Sequence, residues 1–182
     1  MDFSLSAEEK DILLKTARER IREKLGLDGV AYPASTDKLN EICGAFVTIH
    51  NSGMLRGCIG NIIGRRPLIE TIKNMAHAAA FEDPRFPPLS PDEFGDIDIE
   101  ISVLSPLRKI SSISEIEIGK HGIYMSRGYK SGVLLPQVAT EQGWDLQSFV
   151  EHTCMKSGLP TDAWKDPNTM IEIFSAVIFA EK

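Results

Sequence analysis

One short segment concentrates the residue types that can do chemistry. Leu55-Arg56-Gly57-Cys58-Ile59-Gly60 places a thiol between glycines, two residues beyond an arginine. Glycine permits unusual dihedrals and lets a ligand or a neighbouring backbone come close. If the segment is extended, Arg56 and Cys58 project to one face, and a guanidinium beside a thiol favours the nucleophilic thiolate. Cys58 is therefore a candidate nucleophile or covalent carrier, with Arg56 as its activator and Gly57 and Gly60 giving a substrate room. The competing reading is structural, since free cysteine is a common small buried apolar residue and glycine in a strand often marks a bulge.

A thiol nucleophile needs a proton acceptor, and the four histidines His50, His77, His121 and His152 are the first to consider. None sits at a diagnostic spacing. His121, in Gly119-Lys120-His121-Gly122, has neighbours that suit a turn near a site, or equally a plain hairpin. Glu100 falls on the polar face of an alternating strand, where cover by another element would make it an acid or base. Phe81-Glu82-Asp83-Pro84-Arg85-Phe86 offers Arg85 as a clamp for a carboxylate or phosphate. Its structural alternative is an Asp–Arg ion pair that locks the loop. Ser131-Gly132-Val133-Leu134-Leu135-Pro136-Gln137 reads as a glycine-containing strand ending in a proline and an amide, so that Gln137, with Trp144 close by, would wall a pocket.

These residues need a frame, and the periodicities supply one. Ser6 and Glu9 form a capping box, and Ile12, Leu13, Ala17, Ile21 and Leu25 follow at helical spacing before Gly26. Two strands, 45–50 and 54–59, flank the turn Asn51-Ser52-Gly53. Pro67 opens a second helix that runs to about Phe81, stopped by Asp83-Pro84. Ile97, Ile99, Ile101 and Val103 alternate with Asp98, Glu100 and Ser102, which is a strand with one apolar face. Shorter strands follow at 122–126 and 132–135, then a helix capped by Asp145 and ended by Gly158, and a last apolar strand over 170–179. Without a regular βαβ repeat, the fold class is α+β, a mixed and mostly antiparallel sheet flanked by helices. At 182 residues the chain is one domain, or two lobes sharing a core.

Composition excludes several functions. The net charge is −6 and the basic residues are scattered, which argues against a nucleic-acid partner. No stretch approaches the roughly 18 to 20 apolar residues of a membrane span, and Met1-Asp2-Phe3-Ser4 lacks the features of a secretion signal. Three dispersed cysteines fit a reducing compartment, so the expectation is a soluble cytoplasmic protein. There is no phosphate-binding glycine loop, no dinucleotide fingerprint, no nucleophile elbow and no paired metal-ligand motif, so no metal is expected and no cofactor is specified.

Six ordered blocks carry a resemblance. Gly44-Ala45-Phe46-Val47-Thr48, Leu55-Arg56-Gly57-Cys58-Ile59-Gly60, Ala80-Phe81-Glu82-Asp83-Pro84-Arg85-Phe86, Ile99-Glu100-Ile101-Ser102-Val103-Leu104-Ser105-Pro106, Leu134-Leu135-Pro136-Gln137-Val138-Ala139 and Asp162-Ala163-Trp164-Lys165 together resemble the AMMECR family. Its prokaryotic members are called AmmeMemoRadiSam system protein A. The likeness runs from about Leu39 to the C-terminus, and the first helix is taken to belong with it. It implies an α+β fold of two unequal lobes with a cleft, the hexapeptide being a central element, and an association with Memo-like and radical-SAM proteins. It brings no established reaction, cofactor or oligomeric state.

Overall fold

The hexapeptide sits on a strand whose partners are set by local sequence, beginning with the elements around it. The structure is a computed structural model and describes residues 4–181. Helix α1 (Ala7–Lys24) opens with the expected capping box: the Glu9 N–H donates to the Ser6 hydroxyl, and the Glu9 carboxylate accepts from the Ser6 N–H. Strands β1 (Ala45–Asn51) and β2 (Met54–Asn61) form an antiparallel hairpin. Its turn residues Ser52 and Gly53 both have positive φ, 51° and 77°, the left-handed pair that a two-residue hairpin turn demands. Helix α2 (Leu68–Phe81) starts after Pro67, as the proline's missing N–H and preset φ favour. Strand β3 (Ile97–Leu104) completes this part of the chain.

These elements belong to the first of two units, residues 4–106 with 177–181. Its strands lie in the order β2-β1-β3, and the closing strand β7 (Met170–Ala180) neighbours β3. One face of the sheet is apolar: Ala45, Val47 and Ile49 of β1 and Ile97, Ile99, Ile101 and Val103 of β3 are buried against Leu13, Ala17 and Ile21 of α1 and Leu68, Ile72 and Ala76 of α2. The alternate residues Thr48, Cys58, Glu100 and Ser102 are only half-buried. Arg18 closes the unit through its end, its guanidinium reaching the Glu181 carboxylate and the Ile97 carbonyl.

The second unit, residues 107–176, has its own core. Strand β5 (His121–Arg127) pairs antiparallel with β6 (Lys130–Leu134) on one side and with the first part of β7 on the other, and β4 (Arg108–Lys109) also pairs with β7. Helix α4 (Leu146–Lys156), capped by the Asp145 carboxylate on the Ser148 N–H, buries Phe149, Val150 and Cys154 against Ile123, Met125, Ile171 and Ile173. Buried apolar side chains of the described residues cluster within each unit.

One expected element differs. The segment through Pro136 and Gln137 reads from sequence as the end of a strand, but β6 stops at Leu134 and Pro136 starts helix α3 (Pro136–Gln142). Proline is at home in a first helical turn, where its absent N–H has no partner to lose, and Gly143 ends the helix in a left-handed C-cap at φ 65°. The α+β class and the antiparallel pairing stand as expected. Among the described residues, no helix is long and apolar enough to cross a membrane. None of the three cysteines is in a disulfide.

Candidate functional site

Cys58 is defined by register. It lies opposite Thr48 on β1, and Thr48 lies opposite Glu100 on β3. Directly opposed residues of antiparallel strands project to the same face, so thiol, hydroxyl and carboxylate form one row across three strands. The Thr48 hydroxyl donates to the Cys58 sulfur at 3.2 Å. The Glu100 carboxylate has no hydrogen-bond or ion-pair partner among the described residues. Its strand is two spacings from that of Cys58, roughly 9 to 10 Å between backbones, with Thr48 between them.

The backbone of Cys58 is held from the other side. Strand β2 is the edge of its sheet, so outward-facing N–H and C=O groups there would lack a strand partner. At Cys58 the loop after α2 fills both positions. The Cys58 N–H donates to the Asp83 carboxylate at 2.9 Å, and the Arg85 guanidinium donates to the Cys58 carbonyl at 3.2 Å. Asp83 and Arg85 are themselves joined by three further bonds, Nε to Oδ1 at 2.9 Å, Nη2 to Oδ2 at 2.7 Å and the Arg85 N–H to Oδ1 at 3.1 Å. Asp83 is buried, and the Arg85 guanidinium, helped by the Cys58 and Arg85 N–H groups, holds its carboxyl far below the usual carboxylate range. The loop-locking ion pair anticipated for this segment is present, and it locks the loop onto Cys58 itself. The Arg85 side chain is still 53% exposed, and its Nη1 makes no hydrogen bond among the described residues.

Arg56 is placed by a bulge. Ile49 pairs with Gly57 and His50 with Leu55, so Arg56 is the extra residue of β2. Its guanidinium makes a bidentate pair with Glu93, Nε to Oε1 at 2.7 Å and Nη2 to Oε2 at 3.1 Å. That pair, with Ser90 donating to the same carboxylate through its N–H and hydroxyl, brings Glu93 down to about 2. The Phe86 ring neighbours both arginines, with guanidinium carbons 5.9 Å (Arg56) and 5.5 Å (Arg85) from its centroid. The cation hydrogen-bonded to Cys58 is therefore Arg85, and Arg56 serves Glu93.

At both glycines the close neighbour is the protein's own. A side chain at Gly57 would stand 2.0 Å from the Ala79 carbonyl oxygen of α2, and one at Gly60 would stand 2.2 Å from the Phe46 ring. Two of the other sequence candidates fall in the second unit. His121 accepts at Nδ1 from the Glu117 N–H at 3.0 Å, and Gln137 lies in the first turn of α3. Cys58, Arg56, Gly57, Gly60, Arg85 and Glu100 all belong to the first unit. Sequence reasoning did not pick out Thr48 or Glu93. Thr48 was findable by counting back from the Ser52-Gly53 turn, but only with the bulge allowed for. Among the described residues, no group of three His, Cys, Asp or Glu side chains is placed to hold a metal ion.

The family model of AMMECR1 matches residues 14–179, nearly the whole chain. The chain belongs to the AMMECR1 family. The match takes in most of α1, further back than the sequence blocks alone reach. Among AMMECR1 relatives, a protein of Methanothermobacter thermautotrophicus is 44% identical over 185 residues, covering 97% of this chain and 96% of its own. Protein NEQ441 of Nanoarchaeum equitans is also 44% identical, covering 93% of this chain and 98% of its own. The crystal structure of the uncharacterized protein PH0010 from Pyrococcus horikoshii matches with a TM-score of 0.81 at 36% identity, over 99% of this chain and 95% of that one.

Proposed function

We propose that this AMMECR1-family chain is a cysteine-dependent enzyme or enzyme component, in which Cys58 is the nucleophile or covalent carrier for a small anionic substrate. The observation that carries the reading is the row Cys58–Thr48–Glu100. A hydroxyl donating to sulfur stabilises the thiolate. A carboxylate without a partner on the same face is placed to exchange a proton with a molecule lying over Thr48. Arg85 supplies the positive charge for an anionic substrate, through the guanidinium edge that neither Asp83 nor the Cys58 carbonyl uses. In this reading Arg56, tied to Glu93, shapes the strand and does not touch the substrate. Memo-like and radical-SAM proteins are the partners that would supply or take up the group carried on Cys58.

The test compares two alkylating reagents of similar size. Cys58 should react with iodoacetate and iodoacetamide faster than a free thiol of similar exposure. Arg85→Gln should slow the anionic reagent more than the neutral one. A native Cys58 that alkylates no faster than an ordinary thiol sinks the catalytic reading. A second reading, a non-catalytic docking module, draws on the way protein atoms fill the space at Gly57 and Gly60 and pin both backbone groups of Cys58. It expects Cys58→Ser to keep function, where the enzyme reading expects total loss.

A further inference from the structure

The block Asp162-Ala163-Trp164-Lys165 plays no part in the Cys58 site, yet it frames a cavity inside the second unit. Residues 163–165 form a single helical turn, and Trp164, Lys165 and Asp166 wall a space of about 410 Å³ with Lys109 at the end of β4, Ile110 just after it and Thr169 before β7. That volume lies within the range of small-molecule sites.

Two polar groups of the cavity's wall residues lack a partner. The Trp164 indole N–H and the Thr169 hydroxyl are sealed from solvent and have no hydrogen-bond partner among the described residues. Buried polar groups are nearly always paired, and an indole N–H can only donate, so the missing partner is an acceptor. The charges agree. Lys109 and Lys165 both line the cavity without an ion-pair partner among the described residues. The one acid in the wall, Asp166, is already engaged by Arg127 at 2.8 Å and by the Asn168 N–H and side chain. Lys165 stands 5.1 Å from the centroid of the Trp164 ring, so cation and aromatic surface adjoin.

We propose that this cavity is a binding site for a small amphiphilic anion, an apolar body carrying one carboxylate or phosphate group. The oxyanion meets Lys109 and Lys165 and accepts from the Trp164 N–H, while the apolar body lies along Ile110 and the indole face. Because the two orphan groups are sealed in the free protein, seating the ligand requires the wall at Trp164 to shift. The indole N–H is therefore the group that reports binding. The site is independent of Cys58, and either proposal can fail without the other.

The test follows the two indole N–H resonances by NMR in the full chain, using Trp144→Phe to identify that of Trp164. Benzoate and phenyl phosphate are the probes, and benzyl alcohol is the neutral control. Either anion should move the Trp164 resonance saturably at millimolar concentration, and benzyl alcohol should not. A response to benzoate alone assigns carboxylates, and a response to phenyl phosphate alone assigns phosphates. Lys109→Gln and Lys165→Gln, both on exposed side chains, should each weaken the response about three- to tenfold. No saturable movement with either anion, an equal response to benzyl alcohol, or unchanged affinity in both lysine variants overturns the proposal.

Discussion

At Cys58 the difference between a packing thiol and a reactive one depends on which form of sulfur the neighbours hydrogen-bond. Thr48 donates to it, and a donor is of more use to a thiolate than to a thiol. Thr48→Val keeps the shape and removes the donor, so alkylation of Cys58 at neutral pH should slow by about three- to tenfold, the equivalent of one hydrogen bond. Thr48→Ser should restore most of the rate. Equal rates in all three proteins would show that the contact is packing only. Asp83 presents the opposite case, a buried charge whose work is structural. Asp83→Ala leaves the Cys58 N–H without its acceptor and Arg85 without its counter-ion, which should cost on the order of 3 kcal/mol. A urea midpoint within error of the parent protein would exclude that role.

At the scale of elements, β2 is fixed by what presses on it. Gly57 meets the Ala79 carbonyl oxygen of α2 at 2.0 Å, and Gly60 meets the Phe46 ring at 2.2 Å and the Ala45 carbonyl oxygen of β1 at 2.6 Å, so backbone that cannot turn aside stands at both. Gly57→Ala and Gly60→Ala should therefore each destabilise by about 3 kcal/mol or more, measured by chemical unfolding. A variant that unfolds within error of the parent would mean that the neighbours at that glycine yield. The same strand shows where the sequence stops being legible. The capping box at Ser6 and Glu9, the hairpin turn at Ser52-Gly53 and the alternation of β3 were readable because each is specified by residues a few positions apart. The bulge at Arg56 was not. Plain counting from the turn puts Thr48 opposite Gly57, and one extra residue moves Cys58 into that place. A single-residue slip reverses the faces of a strand, so the row Cys58–Thr48–Glu100 needed the structure. The bonds from Asp83 and Arg85 to Cys58 span 25 and 27 residues, and no local pattern encodes them. Helix α3 was missed for a different reason: an apolar run followed by proline fits the end of a strand as well as it fits a helix start.

Across the whole molecule, the buried and bidentate carboxylates sit on one side of the division into units. Asp83 and Glu93 both belong to the first unit and both hold parts of the Cys58 segment, while both tryptophans, Trp144 and Trp164, belong to the second. The sequence showed β7 as one apolar run and gave no sign that its end, from Val177, belongs with the first unit. The two carboxylates make the first unit's stability pH-dependent with a definite sign. Arg56 lowers Glu93 from 4.5 to about 2 in the folded chain, and Arg85 lowers Asp83 from 3.8 to well below that range. A carboxyl depressed on folding contributes its full stabilisation above its unfolded value and loses it as pH falls through the folded one. Stability should accordingly be level above about pH 5 and decline between roughly pH 4.5 and 2, with Glu93 and Asp83 taking up protons on unfolding. Glu93→Gln should lower the urea midpoint at pH 7 and flatten the decline, because the variant has one fewer carboxylate to protonate. The reading must come from backbone amide signals of residues 45–61, since tryptophan emission reports only the second unit. A pH profile of identical slope in Glu93→Gln and the parent would mean that the Arg56–Glu93 pair, despite its bidentate geometry, does not hold the bulge of β2.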